Sequence, residues 1–151
     1  MKTNKMNKVL IALDFDPTAQ RIAEVGFTLA QTLGAEVILL HVIEDLVKYS
    51  LTYLNMGPLQ LDSIDELQLT SQNFLDKVKR HLGDENMQTV LKEGAFADMI
   101  LETATELDAD IIVMGSHSTK WMENILMGSV TADVLQKTTI PLFIIPTKKR
   151  D

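Results

Sequence analysis

The sequence predicts an α/β protein built on a five-stranded, doubly wound parallel sheet. Short, continuous apolar runs alternate with longer stretches whose apolar residues recur at helical spacing. Glycines and prolines stand between many of these segments, where turns are expected. Strands and helices that alternate in this way pair the strands in parallel through right-handed crossovers.

The beginning of the chain predicts two strands and a helix. Residues 9–13 are continuously apolar, which is typical of a strand buried on both faces. Asp16 and Pro17 predict the helix start, as N-cap and first helical residue, and Gly34 predicts its end. A second apolar strand is expected over residues 36–42. The apolar positions of the helix are Ile22, Val25, Leu29 and Leu33.

The middle of the chain predicts an excursion and then a long helix. Residues 44–60 have mixed character and are interpreted as a variable excursion within one domain that covers residues 1–151. The amphipathic helix that follows ends at Gly83. Its apolar positions are Leu61, Ile64, Leu67, Phe74, Leu75, Val78 and Leu82.

The remaining elements continue the alternation. Weaker and stronger apolar runs predict strands over residues 88–91, 110–114 and 142–145. A helix is expected over residues 129–137, and residues 147–151 form a polar tail. Another helix, between the third and fourth strands, has its apolar positions at Ala97, Ile100, Leu101, Ala104 and Leu107.

Composition excludes several classes of function. The net charge of −7 disfavours nucleic acid or an anionic membrane surface as the main partner. The chain has no cysteine, which excludes thiol catalysis, disulfides and zinc–thiolate sites. No apolar run is long enough for a signal peptide or a membrane span, so a cytoplasmic location is expected.

Candidate binding residues follow the strands, because ligands of such sheets bind beyond the carboxyl ends of the strands. Asp14 follows the first strand, and Gly115 begins an unusually long connection after the fourth. That connection ends at Gly128 and Ser129, where the free amides of a helix N-terminus suit a phosphate. Alternatively, the two glycines are only a strand-end turn and an N-cap residue. Spacing alone leaves both interpretations open.

The loop after the fourth strand carries a family resemblance. The segment Val113-Met114-Gly115-Ser116-His117-Ser118, with Gly128-Ser129-Val130, resembles the nucleotide loop of the universal stress protein family. The family pattern is glycine, two residues, glycine, nine residues, glycine, and serine or threonine. The opening strand with Asp14, the strand end Leu40-His41-Val42 and the closing strand also match. The resemblance implies an adenine nucleotide alpha-hydrolase-like fold with strand order 3-2-1-4-5 and four helices.

The resemblance also implies a ligand, which is ATP or else ADP or AMP, with Mg²⁺ as a candidate companion ion. In the ATP-binding branch, Asp14 and Val42 would hold the adenosine, and Ala12 would lie behind the base. The implied phosphate loop consists of Met114, Gly115, His117, Ser118, Gly128, Ser129 and Val130. Ser118 replaces the second glycine of the pattern, and Asp16 replaces a usual serine. These two departures leave open which nucleotide binds.

The histidines have no spacing that indicates a transition-metal site. His41, at the end of an apolar strand, is expected to be a hydrogen-bonded residue at the edge of the core. His81 carries no functional signal, and His117 by itself is interpreted as a polar loop residue.

The expected function is an adenine-nucleotide-binding regulatory protein of the stress response, with no catalytic residues and at most slow ATPase activity. The alternative is a nucleotide-independent dimeric interaction protein of the same fold, which Ser118 favours. An adenylate-handling enzyme comes last, because no clear nucleophile is present. The sequence also lacks the Gly-Lys-Ser/Thr run of a P-loop and the G-x-G-x-x-G pattern of a dinucleotide dehydrogenase.

The fifth strand predicts a homodimer. Residues 142–145 are apolar on both faces and uncharged, and the implied strand order places them at the sheet edge. An exposed edge of this kind promotes aggregation unless something covers it. Antiparallel pairing of the Leu142–Ile145 strand with a second copy about a two-fold axis would cover it. The alternative is cover by the polar tail or by residues 44–60 of the same chain.

Overall fold

The computed structural model describes residues 5–44, 61–116 and 127–147, with side chains omitted for 61–64. Apart from residues 44 and 147, the predicted excursion over residues 44–60 and the predicted tail over residues 147–151 lie outside this range. The described elements are β1 (Lys8–Ala12), α1 (Ala19–Leu33), β2 (Glu36–Ile43), α2 (Leu61–Leu82), β3 (Gln88–Glu93), α3 (Phe96–Glu106), β4 (Ile111–Gly115), α4 (Ser129–Lys137) and β5 (Leu142–Ile145).

The five strands form one sheet in the order β3-β2-β1-β4-β5, and every neighbouring pair is parallel. This confirms the predicted fold class and strand order. From β1 the chain builds the sheet outward to β2 and β3, and it then returns to place β4 on the other side of β1. The strand order therefore reverses between β1 and β4, and the helices that follow these two strands, α1 and α4, lie on opposite faces of the sheet.

Two hydrophobic layers cover the faces of the sheet. On one face the apolar sides of α1 and α2 pack on alternate strand residues such as Ile11 and Leu39. On the other face α3 and α4 pack on the intervening residues, such as Leu10 and Leu40. Because both faces are covered, β1 and β2 carry continuous apolar runs instead of an apolar and polar alternation.

Helix α1 approaches the sheet closely at Gly26. A Cβ atom at this position would lie 2.7 Å from Ile11 Cδ1 and 3.1 Å from Val113 Cγ1. Both contacts are closer than ordinary van der Waals packing, so the glycine gives α1 room to rest directly over β1 and β4. No feature of the sequence pattern had singled out this position.

The predicted helix ends are confirmed, whereas the predicted start of α1 is wrong. Gly34 and Gly83 close α1 and α2 with φ of 67° and 76°, a left-handed conformation that glycine adopts without strain. The start of α1 lies at Ala19 and its N-cap is Thr18, not Asp16. The Asp16 carboxylate instead accepts hydrogen bonds from the amide (2.7 Å) and hydroxyl (2.5 Å) of Thr18, which stabilise a separate turn before the helix.

Strand β3 is longer than predicted. It extends to Glu93, since Lys92 pairs with Val42 and Glu93 pairs with Ile43. The apolar pattern stops at Leu91 because β3 is an edge strand, on which charged side chains can reach water. Among the helices of the described ranges, none is long and apolar enough to cross a membrane.

Candidate functional site

A narrow cleft opens at the carboxyl edge of the sheet, where β1, β2 and β4 end. The amino-terminal turns of α3 and α4 form its other wall. Its cavity volume is about 30 Å³, enough for roughly two water molecules. The residues that line it are Ala12, Leu13, Asp14, Ile22, Leu40, Val42, Phe96, Ile100, Met114, Gly115, Val130 and Thr131.

The cleft brings together residues that the sequence pattern and the family resemblance selected from distant parts of the chain. Six of them line it, namely Ala12, Asp14, Val42, Met114, Gly115 and Val130. Gly128 and Ser129 lie beside it, as the N-cap and first residue of α4. His117 and Ser118 fall outside the described residues, so their placement stays a prediction.

Asp14 is the ionisable residue of the cleft. Burial among apolar side chains raises the pKa of its carboxyl from 3.8 to about 7, and the negative charge of Asp16 adds to this shift. Near neutral pH the carboxyl therefore exists in both protonation states. The ionised form accepts hydrogen bonds, and the protonated form can donate one.

Strand β2 holds the backbone next to Asp14. The Leu13 amide donates to the Leu40 carbonyl at 2.8 Å. The Leu13 carbonyl accepts a hydrogen bond from Nδ1 of His41 at 2.7 Å. Because a carbonyl only accepts, Nδ1 carries the proton. His41 is 8% exposed, which confirms the prediction of a hydrogen-bonded histidine at the edge of the core.

The two ends of the long connection after β4 meet beside the cleft. The amide of Gly128 donates to the carbonyl of Ser116 at 2.6 Å, and the amide of Ser116 donates to the Ile145 carbonyl. The buried Thr131 hydroxyl donates to the Gly115 carbonyl at 2.8 Å, which ties α4 to the end of β4. These bonds place the start of α4 directly over the ends of β4 and β5.

The backbone conformation of Gly128 does not require a glycine. Its φ of −69° and ψ of 161° are extended and open to any residue. Gly115 does not have a positive φ either. Backbone strain therefore does not require glycine at these two positions. What remains in favour of glycine is space, because a residue without a side chain lets a ligand approach the backbone.

Six lining residues were not among the predicted site residues, namely Leu13, Ile22, Leu40, Phe96, Ile100 and Thr131. Phe96 and Ile100 line the cleft from α3, and Thr131 lines it from α4. A signal was present for Phe96, since it opens the helix that follows β3 at the same edge of the sheet. The sequence indicated Ile100 and Thr131 less clearly. Which residues of a helix face the cleft depends on how the helix is rotated about its own axis, and the sequence does not give that rotation.

A larger groove, which we call the α1–α2 groove, runs between the turn before α1 and helix α2. Phe15, Phe74 and Lys77 are among its lining residues. Two of its polar groups are already engaged: Asp16 accepts from Thr18, and His81 pairs with Glu24 at 2.8 Å. The Asp14 cleft is therefore the better candidate for a ligand site, despite its smaller size.

Comparison with known proteins identifies the family. The model of the universal stress protein family matches residues 5–146. The chain belongs to the universal stress protein family. It is 33% identical to universal stress protein MJ0577 of Methanocaldococcus jannaschii, over 93% of this chain and 95% of that protein.

Solved structures of this family share the fold. The structure of MJ0577 has a TM-score of 0.76 at 27% identity and covers 97% of this chain and 100% of its own. A universal stress protein from Archaeoglobus fulgidus, solved in complex with dAMP, has a TM-score of 0.64 at 23% identity, with 94% and 99% coverage. Another, solved in complex with cAMP, has a TM-score of 0.65 at 18% identity, with 96% and 100% coverage.

Proposed function

We propose that this universal stress protein binds an adenine nucleotide in the Asp14 cleft and acts in the stress response through that bound state, with little or no turnover. One observation carries the proposal. A half-buried carboxyl group lies among apolar side chains at the switch point of the sheet, opposite the start of α4. A carboxylate accepts from the amino group of adenine or the ribose hydroxyls, and aliphatic side chains such as Val42 pack on a base.

The start of α4 suits the phosphates. The Gly128 amide is already bonded to Ser116, whereas the amides at the start of a helix have no partner within the helix. These amides carry the positive end of the helix dipole, and Val130 of the same turn lines the cleft. The adenosine and phosphate ends of a nucleotide would thus meet different walls of one cleft.

The narrow cleft must widen for a nucleotide base. Met114 and Phe96 line it, and methionine changes rotamer easily because its side chain is unbranched. Mg²⁺ needs few protein ligands beside a nucleotide, since it is commonly held by one or two carboxylates and phosphate oxygens. The described residues contain no group of three ionisable side chains that would hold a metal alone.

The fold neighbours support the ligand class. Two universal stress proteins with this fold were solved with AMP-type nucleotides, cAMP in one and dAMP in the other. We infer from the cleft and from these proteins that adenine is the base, and that ATP, ADP or AMP is the ligand.

The decisive experiment starts from protein purified without added nucleotide. Mass spectrometry of the small molecules released by denaturation should detect an adenine nucleotide. Added ATP, ADP or AMP should raise Tm, since ligand at 100 times its Kd stabilises a fold by about 2.7 kcal/mol. GTP, which carries guanine in place of adenine, serves as the control nucleotide. A Tm unchanged by all adenine nucleotides at millimolar concentration would favour the nucleotide-independent interaction protein.

A variant of Gly128 tests the phosphate end. Valine fits the extended backbone of this position, so Gly128→Val should fold. Its side chain should weaken ATP binding strongly and adenosine binding little. Ala132→Val, on the exposed side of the same helix, is the matched control. Equal loss of ATP and adenosine affinity would place the phosphates elsewhere.

We also propose that the protein is a cytoplasmic homodimer that pairs through β5. The support is that β5 is the last strand of the sheet, and Phe143 is 39% exposed there. Ile145 is 2% exposed and belongs to the core of its own chain, so the outer face is smaller than the sequence indicated. With a net charge of −7, neither nucleic acid nor membrane is an expected partner.

A further inference from the structure

We propose that His41 is a positioning residue for the nucleotide site, which it serves from the opposite face of the sheet by holding both chain neighbours of Asp14. The inference rests on the proposed function, because it concerns how the same cleft keeps its carboxyl group in place.

The first contact is the hydrogen bond from His41 to Leu13. Main-chain pairing of β1 with β2 ends at Ala12 and Leu40, apart from the Leu13 amide. The imidazole Nδ1–H then binds the Leu13 carbonyl at 2.7 Å. This carbonyl belongs to the peptide group that joins Leu13 to Asp14, so the bond fixes the plane of that peptide. The direction in which Asp14 leaves β1 depends on it.

The second contact runs through two aromatic rings. Leu40 and Val42 line the cleft, and the residue between them must face the other side of the sheet. There the His41 ring meets Phe74 of α2 edge to face, with centroids 5.6 Å apart. Phe74 meets Phe15 in the same way at 4.9 Å. Edge-to-face pairs of this kind are favourable beyond the apolar area that they bury.

The two residues next to Asp14 in the chain are thus both held in place. Leu13 is held by the imidazole, and Phe15 is held by a ring that packs on the same imidazole. Phe15 is 64% exposed even with this contact, and the Phe74 ring is the aromatic group that it packs against. Burial of the Asp14 carboxyl depends on this arrangement, because a loosened β1 end would let the carboxyl turn towards water.

Two variants separate the hydrogen bond from the ring. His41→Phe keeps a ring against Phe74 and removes the donor. His41→Asn keeps a donor, since its Nδ2 takes a position close to that of Nδ1, and removes the ring. The pKa of Asp14 is read by NMR titration of its carboxyl carbon without nucleotide, and the Kd for ATP is measured separately by calorimetry.

In His41→Phe the pKa of Asp14 should fall below about 6, as solvation of the carboxyl increases. ATP should bind roughly tenfold more weakly, the scale of one lost hydrogen bond. His41→Asn should retain the wild-type pKa and most of the affinity. Loss of a positive imidazole charge would raise the pKa of a nearby carboxyl, so a charge effect cannot mimic the expected fall.

An Asp14 pKa and an ATP affinity that are both unchanged in His41→Phe would overturn the proposal. If that variant does not fold, His41→Leu replaces it. If neither His41→Phe nor His41→Leu folds while His41→Asn does, the proposal is also overturned, because His41 would then stabilise the whole molecule. Wild-type protein that binds no nucleotide would refute the proposed function alone, and the Asp14 titration would still decide the role of His41.

Discussion

At the scale of single residues, the Asp14 carboxyl makes stability depend on pH. Its pKa is about 7 in the folded chain and near 3.8 when unfolded. Between these values the folded chain binds more protons, so stability should fall as pH rises from 4 to 7 and stay level above. The fall contributed by this one group should be on the order of 4 kcal/mol. Urea denaturation at pH 4.5 and pH 8 measures it.

Asp14→Asn is the matched variant for that prediction. The amide is neutral at every pH, so the variant should be more stable than wild type at pH 8 and closely similar at pH 4.5. A wild-type protein and a variant with the same pH profile would show that Asp14 titrates normally.

The position of Asp14 was predictable, but its pKa was not. An acidic residue directly after a buried apolar strand falls at the carboxyl edge of a parallel sheet, which the local pattern shows. The raised pKa depends on burial, to which Phe96 and Ile100 contribute from about 80 residues further along the chain. No local pattern carries that information.

At the scale of elements, the close contact of α1 with the sheet should be sensitive to added volume. Gly26→Leu would force a side chain against Ile11 and Val113, and overpacking of this kind costs about 1–3 kcal/mol. The free energy of unfolding from urea titration measures the cost. Thr28→Leu, on the exposed side of the same helix, should change it little. Equal effects of the two variants would contradict the close approach.

The outer edge of β5 offers a sharp test of the homodimer. The carbonyls of Pro141 and Ile145 accept hydrogen bonds from β4, so alternate residues face β4 and Leu142 and Ile144 turn their main-chain groups outward. Ile144→Pro removes an outward N–H that pairing with a second β5 would use. The wild type should have twice the 16.9 kDa chain mass by light scattering, and the variant should be monomeric.

Phe143→Pro is the contrasting variant, since it removes an N–H that faces β4 and should destabilise the chain itself. A monomeric wild type at micromolar concentration would refute the dimer. A dimer that persists in Ile144→Pro would move the interface away from this edge.

Element boundaries were predicted less well than element types. The start of α1 was misplaced because Asp16 and Pro17 match a helix start, yet the Asp16 carboxylate binds Thr18 and makes a turn of its own. Aspartate serves both motifs with the same hydrogen-bonding group, so composition does not separate them. The glycine stops at Gly34 and Gly83 were correct, since a left-handed residue at a helix end has few alternatives.

At the scale of the molecule, the alternation of strands and helices predicts a doubly wound sheet, but the strand order came from the family resemblance. Right-handed crossovers permit more than one order, and the order 3-2-1-4-5 is what places β1 and β4 side by side. That placement brings Asp14 and Met114 to one cleft, although 100 positions separate them in the chain.

The most direct test of the central claim is the affinity for ATP at pH 8 and pH 6, by calorimetry, for wild type and Asp14→Asn. The ionised carboxyl is the stronger acceptor for the donors of adenine, and its population falls roughly tenfold between these two values when its pKa is near 7. The wild type should therefore bind ATP roughly tenfold more tightly at pH 8. The variant should bind ATP more weakly than the wild type at pH 8. The small change in its affinity between pH 6 and pH 8 measures the effect of phosphate titration, which is subtracted from the change in the wild type. No binding by the wild type at millimolar ATP, or equal affinities of the two proteins at pH 8, would contradict an adenine nucleotide site at Asp14.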